Sequence, residues 1–467
     1  MNPFKNKKIA AVTAIFCALC FIIVAVGVYR VGIFRGLNKN ADEEKDNAKI
    51  KIQRSEMVEG IFVDRYNNEI TSYSEPGQAA ELQYPECFSY MIGYNSFRLG
   101  VSGLRRKLSA YLFDGGMDNI GSTVTLTVDA ALQEQAYHLL DNTVGSVCVI
   151  DADTGEILAM TSRGNASVGY NANKIDKKFR EFKGNTYYYS DLYNSYDRFW
   201  FDRAVFAEDP PGSCAKIITA TSLVENGLKD FTYVDAGSEC NGLIHNYSSV
   251  EFGECDLEKA LNDSINTYFA KAGMTLGNGK LKKTFVNFMV GTPIELDFTT
   301  LESTYMETNS ASELVLASNA YGQGQLVMTP LHLAMTASAI MNDGTMMQPY
   351  LVSSVVNDER TLKTGSSQPL SEATDKQTAA AVKDLLHSNA MYYGLYEYFD
   401  ENEVYLIAKT GTAETRNSNG NHLYYTFGVE HEGKRYGVCI DQAEAQGNGS
   451  QLSQKVVELI QYLMSLD

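Results

Sequence analysis

Three short runs carry residue types that could do acyl chemistry together. DPPGSCAKIITA places Ser213 three positions before Lys216. ALNDSINTYFAKAG places Ser264 two before Asn266, and EVYLIAKTGTAE ends an apolar run in Lys409, Thr410, Gly411 and Thr412. A serine hydroxyl is a weak nucleophile until a base takes its proton. A lysine becomes that base when burial disfavours its ammonium form and lowers its pKa from about 10.4. A second hydroxyl with an amide two residues on could relay a proton and hold a substrate carbonyl. A lysine ending a buried strand sets fixed positive charge at a cleft edge. The glycine beyond it lets a substrate backbone approach, and the next residue offers its N–H along the strand edge.

The elements needed to position these groups are legible. Pro210, Pro211 and Gly212 turn the chain, so Ser213 reads as an N-cap or first-turn residue. SCAKIITATSLVENG is apolar nearly all round and stops at Asn226-Gly227, which predicts a buried helix. Lys216, in its first turn, then enters a desolvated place on the same face as Ser213. The helix start also offers free N–H groups and positive dipole to a developing oxyanion. Alone, Ser-x-x-Lys occurs by chance on the order of once in a chain this long. A second Lys-Thr-Gly, Lys363 to Gly365, lies in the polar run NDERTLKTGSSQPLSE and reads as a surface turn, so Lys409 is the choice.

Around these motifs, GIFVDRYNNEITSY predicts strand, turn at Asn67-Asn68 and strand. STVTLTVDAALQEQAYHLL predicts a strand and a helix capped by Asp129. SVCVIDADTGEILAMTS predicts a β-hairpin that opens the main domain. NTYYYSDLYNSYDRFW, Asn185 to Trp200, reads as a long surface loop with packed tyrosines. Thr329 and Pro330 begin a helix stopped by Gly344, another starts near Asp375, and the chain ends in a strand and an amphipathic helix.

The chain has 467 residues and a formal net charge of −18, enough for two or three domains and a poor match to nucleic acid. Ile9 to Val28 carries no charge and matches the roughly 20 residues a helix needs to cross a bilayer. It is followed by Tyr29 and Arg30 rather than a small-x-small cleavage site, which favours an uncleaved anchor. Cys17 and Cys20 lie in that segment; Cys87, Cys148, Cys214 and Cys439 read as small buried hydrophobes. Cys240 and Cys255 are near enough in sequence for a disulfide, though spacing alone does not prove one. The histidines show no metal-ligand spacing, so neither metal nor cofactor is expected.

The order S-x-x-K, S-x-N, K-T-G-T is a known constellation rather than a derived one. With PPGSCAKIITA, ASNAYGQGQLVMTPLHLAMTASAIMNDG, AKTGTAE and GSVCVIDADTGEILAMTS, the chain resembles a class B penicillin-binding protein over nearly its whole length. GYNSFRLGVSGLRRKLSAYLFDGG and GSTVTLTVDAALQEQA resemble that family's N-terminal pedestal. Three positions depart from the family: Glu59-Gly60 stands where Arg-Gly is usual, Arg105 where an acidic residue is usual, and Cys214 after Ser213 where Thr is frequent.

The resemblance implies an α+β penicillin-binding fold: a five-stranded antiparallel sheet flanked by helices, a helical subdomain, a pedestal and one transmembrane helix. It divides the chain into a cytoplasmic tail (1–8), an anchor (9–28), a juxtamembrane linker (29–56), a pedestal (57–143) and an extracytoplasmic transpeptidase domain (144–467). It implies that Ser213 attacks the penultimate D-alanine carbonyl of a peptidoglycan stem peptide, with Lys216 as base and Ser264 as relay. Asn266, Lys409, Thr410, Gly411 and Thr412 would bind the donor, and the N–H groups of Ser213 and Thr412 would form the oxyanion hole. β-Lactams would acylate Ser213. The implied partners are the cell membrane, a membrane-embedded glycan polymerase and no nucleic acid; no cofactor is implied. The alternatives are a β-lactamase or D,D-carboxypeptidase of the same fold, in which water takes the acyl group, or a non-catalytic division or elongation scaffold.

Overall fold

Three helices begin where their cap residues dictate. Asp129 accepts from the N–H groups of Ala131 and Leu132, Thr329 from His332, and Asp375 from Gln377 and Thr378, filling donors that no turn of helix can satisfy. The structure, a computed structural model, describes residues 57–466 apart from 97, 115–117, 165–168, 195–201, 208, 299, 306–312, 359 and 415–419. The expected anchor, its tail and its linker lie outside the described residues. Among the described residues no helix is long and apolar enough to cross a membrane.

The first part of the chain gives β1 (Phe62–Val63), β2 (Thr123–Leu126), α1 (Ala130–Leu139), β3 (Gly145–Asp151) and β4 (Ile157–Arg163). The middle gives α2 (Lys216–Glu225), α3 (Leu257–Asn262), α4 (Asn266–Leu276), α5 (Glu313–Tyr321) and α6 (Pro330–Met341). The last part gives β5 (Val352–Asn357), β6 (Arg360–Thr364), α7 (Lys376–Tyr392), β7 (Val404–Ala413), β8 (Asn421–His431), β9 (Lys434–Ala445) and α8 (Ser453–Met464).

Five strands form an antiparallel sheet in the order β7-β8-β9-β3-β4. Side chains alternate between its faces, and each face has its own core. Helix α6, buried at every residue, lies on one face. It comes so close that a Cβ on Gly437 would stand 2.0 Å from Ser338 Oγ. On the other face, Leu132 and Ala136 of α1 and Val456 and Ile460 of α8 share a core with Val147, Val149 and Phe427. Helices α2 to α5 and α7 pack together as the expected helical subdomain. A second sheet, β1-β2-β5-β6, joins the N-terminal segment to strands from far along the chain. The hairpin β3-β4 and the turn at Asn67, where φ is 66°, stand where the sequence predicts them.

The two departures in the N-terminal segment meet in the fold. Arg105 and Glu59 face each other at 3.1 Å with side chains 2% and 1% exposed. They are the two partners of one buried ion pair.

Three expectations need correction. Lys363 is on β6, an edge strand rather than a turn, and its Nζ pairs with Asp297 at 2.5 Å; pairing with β5 supplies the order that its polar sequence conceals. The tyrosine-rich stretch is not a long loop where it is described: Asn185–Tyr188 pairs with Lys178–Phe182 and runs into a short helix, Tyr189–Asn194. Cys240 and Cys255 are free thiols. Cys240 Sγ lies 4.0 Å from Met274 Sδ, whereas buried Cys255, paired with Tyr233 across a short ribbon, turns its thiol to the Gly253 carbonyl.

Candidate active site

Ser213 does not cap its helix. The chain makes a tight turn over Gly212–Ala215 before α2 begins at Lys216, and no side chain caps either start. Among the described residues the Ser213 hydroxyl makes no hydrogen bond, and it faces a cleft of about 940 Å³. The turn is pressed against β7. Gly212 has φ +54°, and a Cβ there would stand 2.7 Å from the Thr412 carbonyl oxygen. Behind it, a Cβ on Gly322 would stand 1.8 Å from the Gly212 carbonyl oxygen. Three backbones therefore touch where only glycine fits.

Asp209 moors the start of this loop. It accepts from Arg203 at 3.1 Å and stands 3.1 Å from His422 Nδ1 on β8. Burial pushes its carboxyl up, but the His422 bond and the Arg203 charge outweigh this and hold it at about 2. Arg203 also reaches the fully buried Asp441 of β9 at 2.9 Å.

Lys216 is wholly buried. Its Nζ meets the Ser264 carbonyl at 2.7 Å, Asn266 Oδ1 at 2.8 Å and Ser264 Oγ at 3.2 Å. Burial first, and then the charge of Lys409, push its pKa well below the ordinary lysine value. As a neutral amine it has two N–H donors and one lone pair. The carbonyl and the amide oxygen can only accept, so they take the two donors. The lone pair is left for a hydroxyl proton.

The loop between α3 and α4 brings Ser264 in with φ +55°, a strained conformation for serine. It aims the hydroxyl between two lysines: Lys409 Nζ, also wholly buried, donates to Ser264 Oγ at 3.0 Å. Asn266, at the first turn of α4, donates to the His245 carbonyl at 3.0 Å, which fixes its amide so that Oδ1 faces Lys216. Ser213, Ser264, Asn266, Thr410 and Thr412 line one cleft.

Strand β7 is an edge strand, and its even-numbered residues turn their backbone groups to the open side. The carbonyls of Leu406 and Ala408 are met by His387 and Asn389 of α7. The Thr412 carbonyl accepts from Gln323 at 3.3 Å. Since the N–H and C=O of one strand residue point the same way, the Thr412 N–H also faces this edge, beside the Ser213 turn. Gly411 lies over Cys214: a Cβ there would stand 2.8 Å from both Cys214 Sγ and the Pro211 carbonyl oxygen. Cys214 itself is fully buried, and burial pushes its thiol up to about 11, so it does not compete as a nucleophile.

The structure thus brings together every motif residue named from sequence, and leaves Lys363 on the other sheet. It adds three to which the sequence assigned no role: Gly322, Gln323 and Tyr393. The run YGQGQ, rich in glycine ahead of a capped helix, was a signal for the first two; nothing local marks Tyr393. A serine beside a buried amine, with backbone donors opposite, is an arrangement suited to acyl transfer.

Comparison with known proteins agrees. Residues 145–461 match the penicillin binding protein transpeptidase domain, and the chain belongs to that family. It is 26% identical over 381 residues to peptidoglycan D,D-transpeptidase PbpA of Mycolicibacterium smegmatis, spanning 73% of this chain and 74% of that one. It is 23% identical over 388 residues to peptidoglycan D,D-transpeptidase MrdA of Escherichia coli K12, spanning 78% and 59%. The solved D,D-transpeptidase domain of the peptidoglycan glycosyltransferase from Eggerthella lenta is similar at TM-score 0.74 and 25% identity, covering 88% of this chain and 100% of that one. A ceftriaxone acyl-enzyme complex of penicillin-binding protein A from M. tuberculosis shares the fold at TM-score 0.78 and 20% identity, covering 89% and 99%.

Proposed function

We propose that this protein is a serine D,D-transpeptidase that cross-links peptidoglycan stem peptides and is acylated by β-lactams. The observation that carries the reading is Lys216: a buried amine with depressed basicity, three residues from Ser213 and hydrogen-bonded to both Ser264 and Asn266. Family membership and relatives named D,D-transpeptidases support it.

In the reaction, Ser213 Oγ bonds to the carbonyl carbon of the penultimate D-alanine as its proton passes to Lys216 Nζ. The N–H groups of Ser213 and Thr412 stabilise the oxyanion. Ser264 passes the proton to the nitrogen of the terminal D-alanine, the C–N bond breaks, and free D-alanine leaves. An amine from a neighbouring strand then attacks the ester carbonyl. Its proton returns through Lys216 to Ser213 Oγ, and a new amide forms. Asn266 holds the donor peptide. Lys409, Thr410 and Thr412 hold the terminal carboxylate, with Gly411 leaving room for the backbone between them. The same groups receive the carbonyl and carboxylate of a β-lactam.

The charge-free run Ile9–Val28 anchors the protein as a single-pass membrane protein, with its pedestal (57–143) and catalytic domain (144–467) outside the cytoplasm. A membrane-embedded glycan polymerase is its partner in this arrangement.

Fluorescent penicillin tests the core of this proposal. The full-length protein should be labelled covalently, and Ser213→Ala should abolish labelling. Labelling that survives the substitution defeats the nucleophile assignment; absence of labelling in the wild type favours a non-catalytic scaffold. Rapid release of hydrolysed β-lactam favours a β-lactamase.

A further inference from the structure

Helix α7 is stapled along the free edge of β7. His387 Nδ1 lies 2.9 Å from the Leu406 carbonyl, and Asn389 donates to the Ala408 carbonyl at 3.2 Å. One turn further on, Tyr393 caps the helix, and Gly394 at φ +75° turns the chain away so that Leu395 plugs the second core. The Tyr393 ring packs edge-on to Tyr425, with centroids 6.2 Å apart. The phenol is thereby held at the next outward position of β7. It accepts from Lys409 Nζ at 2.8 Å and from Thr410 Oγ1 at 3.4 Å. It also lines the cleft that holds Ser213.

Counting donors shows what this placement does. A lysine ammonium has three N–H groups. Lys409 gives one to Ser264 Oγ and one to Tyr393 Oη, and among the described residues its third has no acceptor. The phenol oxygen accepts from Lys409, so its own O–H remains to be given. Thr412 Oγ1 accepts from the Gly449 N–H at 3.1 Å, which likewise leaves its proton to give. The Thr410 hydroxyl gives its proton to the phenol oxygen, so three donors are left at one end of the cleft: the third Lys409 N–H, the Tyr393 O–H and the Thr412 O–H. A carboxylate, with two acceptor-only oxygens, matches such a set, and its hydrogen bonds are the stronger, charge-assisted kind.

We propose that Tyr393 is a further positioning and specificity residue: its phenol fixes the Lys409 ammonium and donates its own O–H to the terminal carboxylate of the acyl donor. This rests on the acyl-donor reading given above. Lys409 is oriented through Tyr393, and the carboxylate is recognised by both. Phenylalanine at this position keeps the ring and its packing on Tyr425 while removing the hydroxyl.

The test compares benzylpenicillin with its methyl ester, whose carboxylate is masked, as competitors of fluorescent penicillin on full-length wild-type and Tyr393→Phe protein. A hydrogen bond to a charged group is expected to be worth about tenfold or more in the acylation constant for the free acid, with the ester changed less than about twofold. The acid-to-ester preference therefore collapses in the variant. An equal fall for acid and ester assigns Tyr393 a purely structural role and overturns the proposal. No fall for either also overturns it. Failure of the underlying reading looks different: the wild type is then not labelled, or labelling persists in Ser213→Ala.

Discussion

Replacing Glu59 by alanine tests whether the N-terminal segment depends on its buried ion pair. The Glu59 carboxylate accepts from Arg105 Nη1 at 3.1 and 3.2 Å, from the Ala80 N–H at 2.9 Å and from Asn95 Nδ2 at 2.8 Å. Alanine removes all of these. It leaves a guanidinium 2% exposed, with the Ala80 carbonyl as its remaining described partner. Breaking a buried pair from one side costs about 3–5 kcal/mol, because the other charge stays buried. Exchanging both ends, Glu59→Arg with Arg105→Glu, restores the attraction. The Ala80 N–H would then face a donor, and an unmet buried group costs about 1–3 kcal/mol. The expected order of stability is wild type, then the double exchange, then either single exchange. Urea unfolding of the four proteins gives the coupling through a double-mutant cycle. A cost below about 1 kcal/mol for Glu59→Ala would falsify the claim that this pair holds the N-terminal segment. A double exchange no better than the sum of its singles would sink the idea that the two departures compensate each other.

The remaining predictions concern the site. Lys409→Met should lower penicillin labelling by roughly 10²-fold, the scale of losing one aligned donor, whereas Lys363→Ala should leave it unchanged; the reverse result overturns the choice of motif. The same Lys409→Met protein should show a shifted pH profile. Lys216 must be neutral to act, so acylation rises with pH as its ammonium deprotonates. Burial and the Lys409 charge both hold that pKa down. Removing the charge favours the ammonium again, so the acid limb must move to higher pH; movement to lower pH contradicts the electrostatic argument. Gly411→Ala would place a Cβ 2.8 Å from Cys214 Sγ and from the Pro211 carbonyl oxygen. Its overpacking cost is about 1–3 kcal/mol, seen as reduced labelling. Adding Cys214→Ala should recover only part of it, since the backbone contact remains; full activity of the single variant would refute the contact.

Local chemistry made much of this protein legible in one dimension. A short polar residue before an apolar periodic run is suited to cap a helix, and Asp129, Thr329 and Asp375 do. A short apolar run with Val, Tyr and Ile that ends in lysine reads as a strand, and β7 is that strand. The reactive residues were legible for the same reason: acyl chemistry restricts which residue types can stand at Ser213, Lys216, Ser264 and Lys409.

What the sequence could not determine depends on partners distant in the chain. Glu59 and Arg105 looked like two separate anomalies until folding placed one against the other. Lys363 looked like a turn because an edge strand needs no hydrophobic pattern of its own; its neighbour β5 orders it. Cys240 and Cys255 are close in sequence, yet their side chains go to different neighbours. Ser213 fitted a helix cap by residue type, but the turn before α2 leaves its hydroxyl to the cleft instead. Tyr393 carries no local signature at all, and it reaches Lys409 only because α7 lies along the free edge of β7. The sequence by itself determined which groups could react and which segments could form helix or strand, since both follow from residue type and near neighbours. Only the tertiary structure decided which hydroxyl lies between two lysines, which phenol meets Lys409 and which backbone edge stays open, since such proximities arise only when distant segments meet.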